Sequence, residues 1–448
     1  MQNWSRWAFA VFLLLAVIIR WGTFFPSVIN HDETTYLLIG KGLLNGQTYL
    51  VDSFDTKPIG IFLIYALWNA LSSGAIWLMR LFTALTVGLT AYLLYRLAKK
   101  ATAEERIGWT AGISYLLLTS IFKYYGLSPN TELFFTPLVA GAVLLAWSDS
   151  RSIPRYMLVG LLLGMAFMIK YVVAADALAI GLCLLGLGWR KGTLNTTIFR
   201  QCLPMTLVFC LPLMCAYFYY SSIGQTDAFL FYTFEVTGKY PVEASWWTRL
   251  LFSLEFYGRF FPFTLLAVFA YRERLSEDRD WQNFLLLWLL CTTVMTLIPG
   301  KTFGHYQIQI MLPLALLTAT WFHPERRQQQ WLRNWSPKFA WGLLAALLLG
   351  LSIGLWRYYT KKTDYPKAIT EILQSRMEEG DQVYTGNYHH IVYHLLDQAP
   401  LTPYVHSSLL FYEHHVDALG IDLAAEAHKI IDGHQPRYVL LREDYPKN

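Results

Sequence analysis

Apolar blocks close to the length of a bilayer crossing recur along most of this 448-residue chain, and they exclude most folds at once. A run of about 20 apolar residues in helical form spans a hydrocarbon core, because a helix satisfies its own backbone groups there. A soluble domain spreads its apolar residues in periodic patches and carries more charge than the 15% found here beside 55% hydrophobic residues. Aromatic residues gather at block ends, as in Trp4, Trp7, Trp21, Phe24 and Phe25, which suits rings lying at the membrane–water interface. The net charge of +5 is modest and gives no reason to expect nucleic acid as a partner. All five cysteines fall inside apolar blocks without metal-type spacing, and read as small buried hydrophobes.

The first span is expected near Trp7–Phe25 and is read as a retained helix, since the run after Arg6 lacks a small-residue cleavage site and leads into Arg20-Trp21. Further spans are expected near 76–96, 107–126, 131–147, 155–170, 172–189, 198–220, 259–271, 281–298, 305–322 and 338–357. Residues 57–71 are apolar but short and begin with Lys-Pro, so they read as an interfacial helix. With the first span this makes about eleven crossings. Basic residues concentrate in alternate loops (Arg96, Lys99, Lys100 and Arg106; Arg151 and Arg155; Arg190, Lys191 and Arg200; Arg272, Arg274 and Arg279; Arg326, Arg327, Arg333 and Lys338), which places those loops and the N-terminus inside. The outer face then carries 26–75, 221–258 and everything after the last span. The expectation is an α-helical polytopic membrane domain over 1–358 and a small soluble α/β domain over 359–448. In the latter, strand-like runs at Gln382–Tyr384 and Arg437–Leu441 alternate with helical patterns.

Ionisable groups at membrane boundaries are costly and often functional. His31-Asp32-Glu33 follows the first span; Asp32 either caps the next helix or does chemistry. Lys57-Pro58 opens the interfacial helix, where the ammonium either snorkels or meets a ligand. Asn130-Thr131-Glu132 opens an apolar helix, with the carboxylate at its positive dipole end. Lys170 and Asp176 are close enough in sequence to pair with each other. Lys301, His305 and Tyr306 sit together before another span. By the loop charges, all of these face outward. Carboxylates beside several cations suit a reaction with an anionic leaving group, one acid taking a proton while the cations hold a departing phosphate.

In these motifs the chain resembles the GT-C glycosyltransferases, specifically the bacterial members grouped with protein mannosyltransferases and lipid A aminoarabinose transferases. The resemblance rests on His31-Asp32-Glu33 through Tyr36, Lys57-Pro58, Asn130-Thr131-Glu132, Lys170, and Gly304-His305-Tyr306 leading to Leu312-Pro313-Leu314. It covers about residues 1–322 in order and spacing. It implies inverting transfer from a polyprenyl-phosphate sugar to a lipid, glycan or protein acceptor at the outer face of a bacterial inner membrane. Asp32 would be the general base, supported by Glu33, and Glu132 a second acid. Lys57, Lys170, Lys301 and His305 would neutralise the donor phosphate, with Asn130, Tyr306 and Arg259 lining the site. The segment 221–258, with Glu235, Lys239, Tyr240 and Arg249, resembles a mobile loop covering the site. The aminoarabinose enzymes have Glu directly before Lys-Pro-Pro; here Thr56 and Ile59 flank Lys57-Pro58, and Asp55 stands two positions before the lysine.

That departure puts a carried-over divalent metal in doubt; the cations around the acids lead to an expectation of activity without a metal or other cofactor, with a divalent metal as the alternative. The rival readings are a lipid-linked sugar transporter or flippase, another envelope polymerase or ligase, and a non-catalytic scaffold. A transporter tends to carry inverted repeats and midplane charges, whereas these charges gather at helix ends and no repeat is evident.

Overall fold

The computed structural model describes residues 5–122, 125–148, 150, 152–239, 244–273, 279–324 and 337–442. It is built almost wholly of helices, with a single pair of short strands among the described residues. The helices follow the apolar blocks because only a helix keeps its hydrogen bonds internal in hydrocarbon. Five described helices are long and apolar enough to cross a membrane: Ser5–Phe24, Ile76–Thr102, Tyr171–Arg190, Leu194–Ser222 and Gly342–Gln374. Ile59–Ser72, Thr131–Ala146 and Ile153–Phe167 are apolar but shorter. The expected crossing at 107–126 is a helix of 14 residues, Glu105–Leu118.

One expected boundary is corrected. Arg259 does not begin a span; it ends the helix Trp246–Arg259, which meets Phe261–Arg272 at 89°. The segment expected as a loop over 221–258 is largely helical, through Thr226–Leu230, Phe231–Glu235, Val236–Lys239 and Trp246–Arg259. Tyr240 lies outside the described residues, as do Arg151, Arg274, Arg326, Arg327 and Arg333 from the loop-charge argument.

The chain forms two compact units. The first comprises Met1–Thr23, Arg80–Cys215 and Val242–Tyr358. Within it, Ile153–Phe167 packs against Leu203–Ser222 through glycines four residues apart. A Cβ on Gly160 would lie 2.1 Å from the Met205 carbonyl oxygen, and one on Gly164 would lie 2.4 Å from that of Phe209. Backbones this close gain dispersion contact that larger residues would forbid. Arg20, buried at the end of the first helix, donates to the carbonyls of Thr119 (2.8 Å) and Gly126, which satisfies a charge otherwise expensive in that setting.

The second unit comprises Phe24–Met79, Ala216–Pro241 and Tyr359–Asn448. Its helices His31–Leu44 and Ile59–Ser72 pack closely. Gly40 allows this, since a Cβ there would stand 2.8 Å from the Tyr65–Ala66 backbone. Strands Val383–Thr385 and Tyr438–Leu440 pair in parallel, with Val383 opposite Tyr438. Parallel pairing requires a long crossover, and the short helices from Ile391 to His434 supply it.

Candidate active site

In the second unit, the helix His31–Leu44 starts at Asn30, whose backbone is extended (φ −139°, ψ 149°). The Asn30 side chain accepts from the Asp32 N–H at 3.1 Å, and Glu33 reaches back to the N–H groups of Asn30 (3.3 Å) and Ile29. This is a reciprocal capping box. Capping therefore falls to Asn30 and Glu33, not to Asp32, and the buried Glu33 carboxylate is committed to the backbone.

The Asp32 carboxylate meets Lys57. The Lys57 ammonium lies 3.1 Å from Asp32 Oδ1 and 3.2 Å from Asp55 Oδ1, and 5.3 Å from the centre of the Tyr36 ring. The turn carrying Lys57 is fixed by Tyr49, whose hydroxyl donates to the carbonyls of Asp55 (2.7 Å) and Lys57 (2.6 Å). Asp55 Oδ1 also accepts from the N–H groups of Thr56 (2.6 Å) and Lys57 (3.2 Å). Burial alone would lower the Lys57 pKa, but Asp32 and Asp55 outweigh it and hold it above the usual lysine value. The lysine stays charged.

Beside this triad lies a group of imidazoles. The His31 ring stacks on His389 (4.6 Å between centres) and His390 (5.6 Å), and His406 lies 5.6 Å from His390. His406 Nε2 is 3.8 Å from Asp32 Oδ1. His390 Nε2 is 2.9 Å from Thr35 Oγ1, while its Nδ1 is buried with no partner among the described residues. Burial, then the neighbouring His389 and His406, push the His31 pKa down to about 3 against the pull of Asp32. Burial likewise lowers those of His389, His390 and His406. The cluster is neutral at physiological pH. Among the described residues, no three His, Cys, Asp or Glu side chains converge as a metal ligand set does.

The C-terminal histidines were not singled out from the sequence. The signal was present: eight of the eleven histidines fall between 389 and 434. Nothing in a single chain reading ties them to His31.

In the first unit, the helix Thr131–Ala146 begins after Asn130, and Glu132 is buried in its first turn. Thr131 Oγ1 donates to Glu132 Oε2 at 3.0 Å, and the Lys170 ammonium bonds to Oε1. Lys170 is presented by a break between Ile153–Phe167 and the turn Tyr171–Val173, where its own backbone is extended (φ −157°). Its ammonium sits 4.1 Å from the centre of the Tyr306 ring, whose edge-on neighbour is His305 at 4.8 Å. Glu132, Lys170 and Tyr306 line a small cavity with Val172, Met295, Thr296, Pro299 and Gln309.

Of the alternatives for Lys170 and Asp176, mutual pairing is not the one found. Buried Asp176 instead accepts from Trp288 Nε1 (2.6 Å) and Gln309 Nε2 (2.5 Å), the second of which ties it to the cavity wall. Lys301 lies in the stretch without helix or strand before Gly304 and is not among the residues lining the cavity. Arg259 is exposed; it pairs with Glu255 one turn earlier and lies 5.6 Å from the Phe122 ring centre. Arg249 is buried and bonds to the carbonyls of Ala244 (2.8 Å) and Leu297 (3.0 Å). Glu235 and Lys239 form an exposed pair at 3.5 Å.

Residues 56–217 match the family described as dolichyl-phosphate-mannose-protein mannosyltransferase. Among curated proteins, the chain is 25% identical over 321 residues to an undecaprenyl phosphate-alpha-4-amino-4-deoxy-L-arabinose arabinosyl transferase of Pseudomonas fluorescens, covering 69% of this chain and 57% of the relative. A transferase of the same description from Pseudomonas savastanoi pv. phaseolicola is 25% identical over 329 residues, with 68% and 59% covered. The chain thus spans less than two thirds of these relatives. Among solved structures, ArnT from Cupriavidus metallidurans bound to undecaprenyl phosphate superimposes with a TM-score of 0.67 at 13% identity, over 89% of this chain and 86% of that one. The oligosaccharyltransferase AglB from Archaeoglobus fulgidus, with dolichol-phosphate and an inhibitory peptide, gives 0.56 at 11% identity, over 98% and 69%.

Fold and matched segment agree: residues 56–217 are similar to the dolichyl-phosphate-mannose-protein mannosyltransferases, and the fold is similar to that of the ArnT and AglB glycosyltransferase structures. The curated proteins it is similar to include undecaprenyl-phosphate aminoarabinose transferases.

Proposed function

We propose that this protein transfers a sugar, with inversion, from a polyprenyl-phosphate donor to a lipid A, glycan or protein acceptor at the outer face of a bacterial inner membrane. Asp32 takes the acceptor's proton as the new bond forms at the anomeric carbon. The bond from that carbon to the phosphate oxygen breaks, and the lipid phosphate leaves with its electron pair. Lys57, held beside Asp32 and Asp55, supplies the positive charge that a departing phosphate requires; in the first unit Lys170, held beside Glu132, is a cation of the same kind. Glu132 sets the position of Lys170, and Tyr306 covers it with a ring face. In this reading the N-terminus is cytoplasmic, about eleven segments cross the membrane, and 359–448 lies outside as a small soluble domain.

The observation that carries the reading is the pairing of Asp32 with Lys57. A carboxylate at a helix start is placed against a lysine that stays protonated, as base catalysis beside a phosphate requires. Glu33, spent on capping, has an orienting role only. Purified protein in lipid nanodiscs, assayed against a panel of undecaprenyl-phosphate sugars and lipid A, tests it. Transfer from at least one donor with release of undecaprenyl phosphate supports the reading; no transfer from any donor opposes it.

A further inference from the structure

We propose that His406, from the C-terminal segment, is a positioning residue for Asp32, holding its carboxylate ionised and correctly rotated for proton abstraction. The inference rests on the glycosyl-transfer reading and adds a residue from the far end of the chain.

The geometry selects one tautomer. His406 Nδ1 lies 3.2 Å from the Ser408 backbone nitrogen and 2.7 Å from Ser408 Oγ. The backbone N–H can only donate, so Nδ1 must accept, and the proton of the neutral ring resides on Nε2. Nε2 is the atom that faces Asp32 Oδ1, at 3.8 Å. That separation is longer than a hydrogen bond, as catalytic contacts often are before the acceptor binds. Lys57 engages the same oxygen at 3.1 Å. Once the separation from His406 closes, two donors on one oxygen fix the rotation of the carboxylate about its Cβ–Cγ bond.

The surroundings keep His406 neutral. The charged groups facing it are Asp32, Asp55 and Lys57, and the rings of His31 and His390 stand beside it. Burial lowers its pKa and Lys57 adds to that, while the two carboxylates oppose it. A neutral donor stabilises the Asp32 anion without competing for the proton that Asp32 is to receive. Ser408, by orienting the ring, transmits the backbone of the segment around Ser408–Phe411 to the base.

The test compares full-length wild type with His406→Ala and His406→Gln in nanodiscs, using undecaprenyl-phosphate sugars for turnover and undecaprenyl phosphate alone for binding. With His406→Ala, kcat should fall by about 10- to 100-fold, as for a misplaced catalytic group, with lipid-phosphate binding within a few-fold of wild type. The acid limb of the pH–rate profile should move up by about one pH unit, because the carboxylate has lost a donor. His406→Gln keeps an N–H donor and should restore much of kcat and the original limb. A His406→Ala enzyme with unchanged kcat, or with its acid limb unmoved, overturns the proposal. A second readout does not need turnover: nitrogen NMR of histidine-labelled protein, with His406 assigned by its loss in His406→Gln. An Nε2-protonated ring whose pKa falls in Asp32→Asn supports the contact; a ring protonated on Nδ1, or unmoved by Asp32→Asn, overturns it. If no donor is turned over while the NMR coupling holds, the transfer reading fails and the contact stands.

Discussion

Lys57 Nζ stands 3.1 Å from Asp32 Oδ1 and 3.2 Å from Asp55 Oδ1, so one ammonium is shared by two carboxylates. Asp55 is buried and Asp32 and Lys57 are largely so, and removing the lysine leaves like charges facing each other at low dielectric. Lys57→Met is expected to destabilise the protein by roughly 2–4 kcal/mol. Thermal unfolding in nanodiscs measures this. Lys57→Met combined with Asp32→Asn should recover part of the loss, since the repulsion is then removed.

Asp32→Asn keeps the shape and removes the base. Turnover should fall by about 10²- to 10⁴-fold, while undecaprenyl-phosphate binding changes little. Equal loss of binding and turnover would instead point to a structural role for Asp32.

Lys170 is held by Glu132 and covered by Tyr306. Lys170→Ala should raise the KM for a polyprenyl-phosphate donor and lower kcat, because a cation facing the phosphate acts in both states. A double-mutant cycle of Lys170→Ala with Tyr306→Leu should give a coupling of about 1 kcal/mol. Arg259→Ala should leave both parameters near wild type, since Arg259 pairs with Glu255 and is exposed.

The neutral imidazoles make stability depend on pH. The His31 pKa lies near 3 in the folded protein against an ordinary value of 6.5, so between these values the unfolded chain binds the extra proton. Stability is then fully present above about pH 6.5 and is lost as pH falls toward 3, by up to about 1.4 kcal/mol per pH unit for each such histidine. Unfolding temperatures between pH 8 and 4.5 should show this fall, and His31→Phe should make it shallower. A flat profile in wild type would contradict the buried, neutral cluster.

Activity is expected to persist in excess chelator, because Lys57 stands beside Asp32 and can meet the phosphate charge. Loss of turnover in EDTA, restored by a divalent ion, would refute this.

The apolar blocks alone located the long apolar helices, such as Ile76–Thr102 and Leu194–Ser222. Burying about 20 apolar residues is a local property of the chain, and a helix needs no distant partner to satisfy its backbone in lipid. Ile59–Ser72 and the Val383–Thr385 strand were legible from local apolar patterns as well. The motif residues Asp32, Lys57, Glu132 and Lys170 were legible as costly charges. Their partners were not. Lys170 and Asp176 are neighbours in sequence, yet a helix break turns Lys170 toward Glu132 while Asp176 is taken by Trp288 and Gln309. His31 stacks on His389, a contact across more than 350 positions that no local pattern encodes. The chain by itself determined that charges would sit at helix ends and that the spans would be helical. Which charge meets which depends on side-chain directions set by packing between distant segments, and only the tertiary structure decided that.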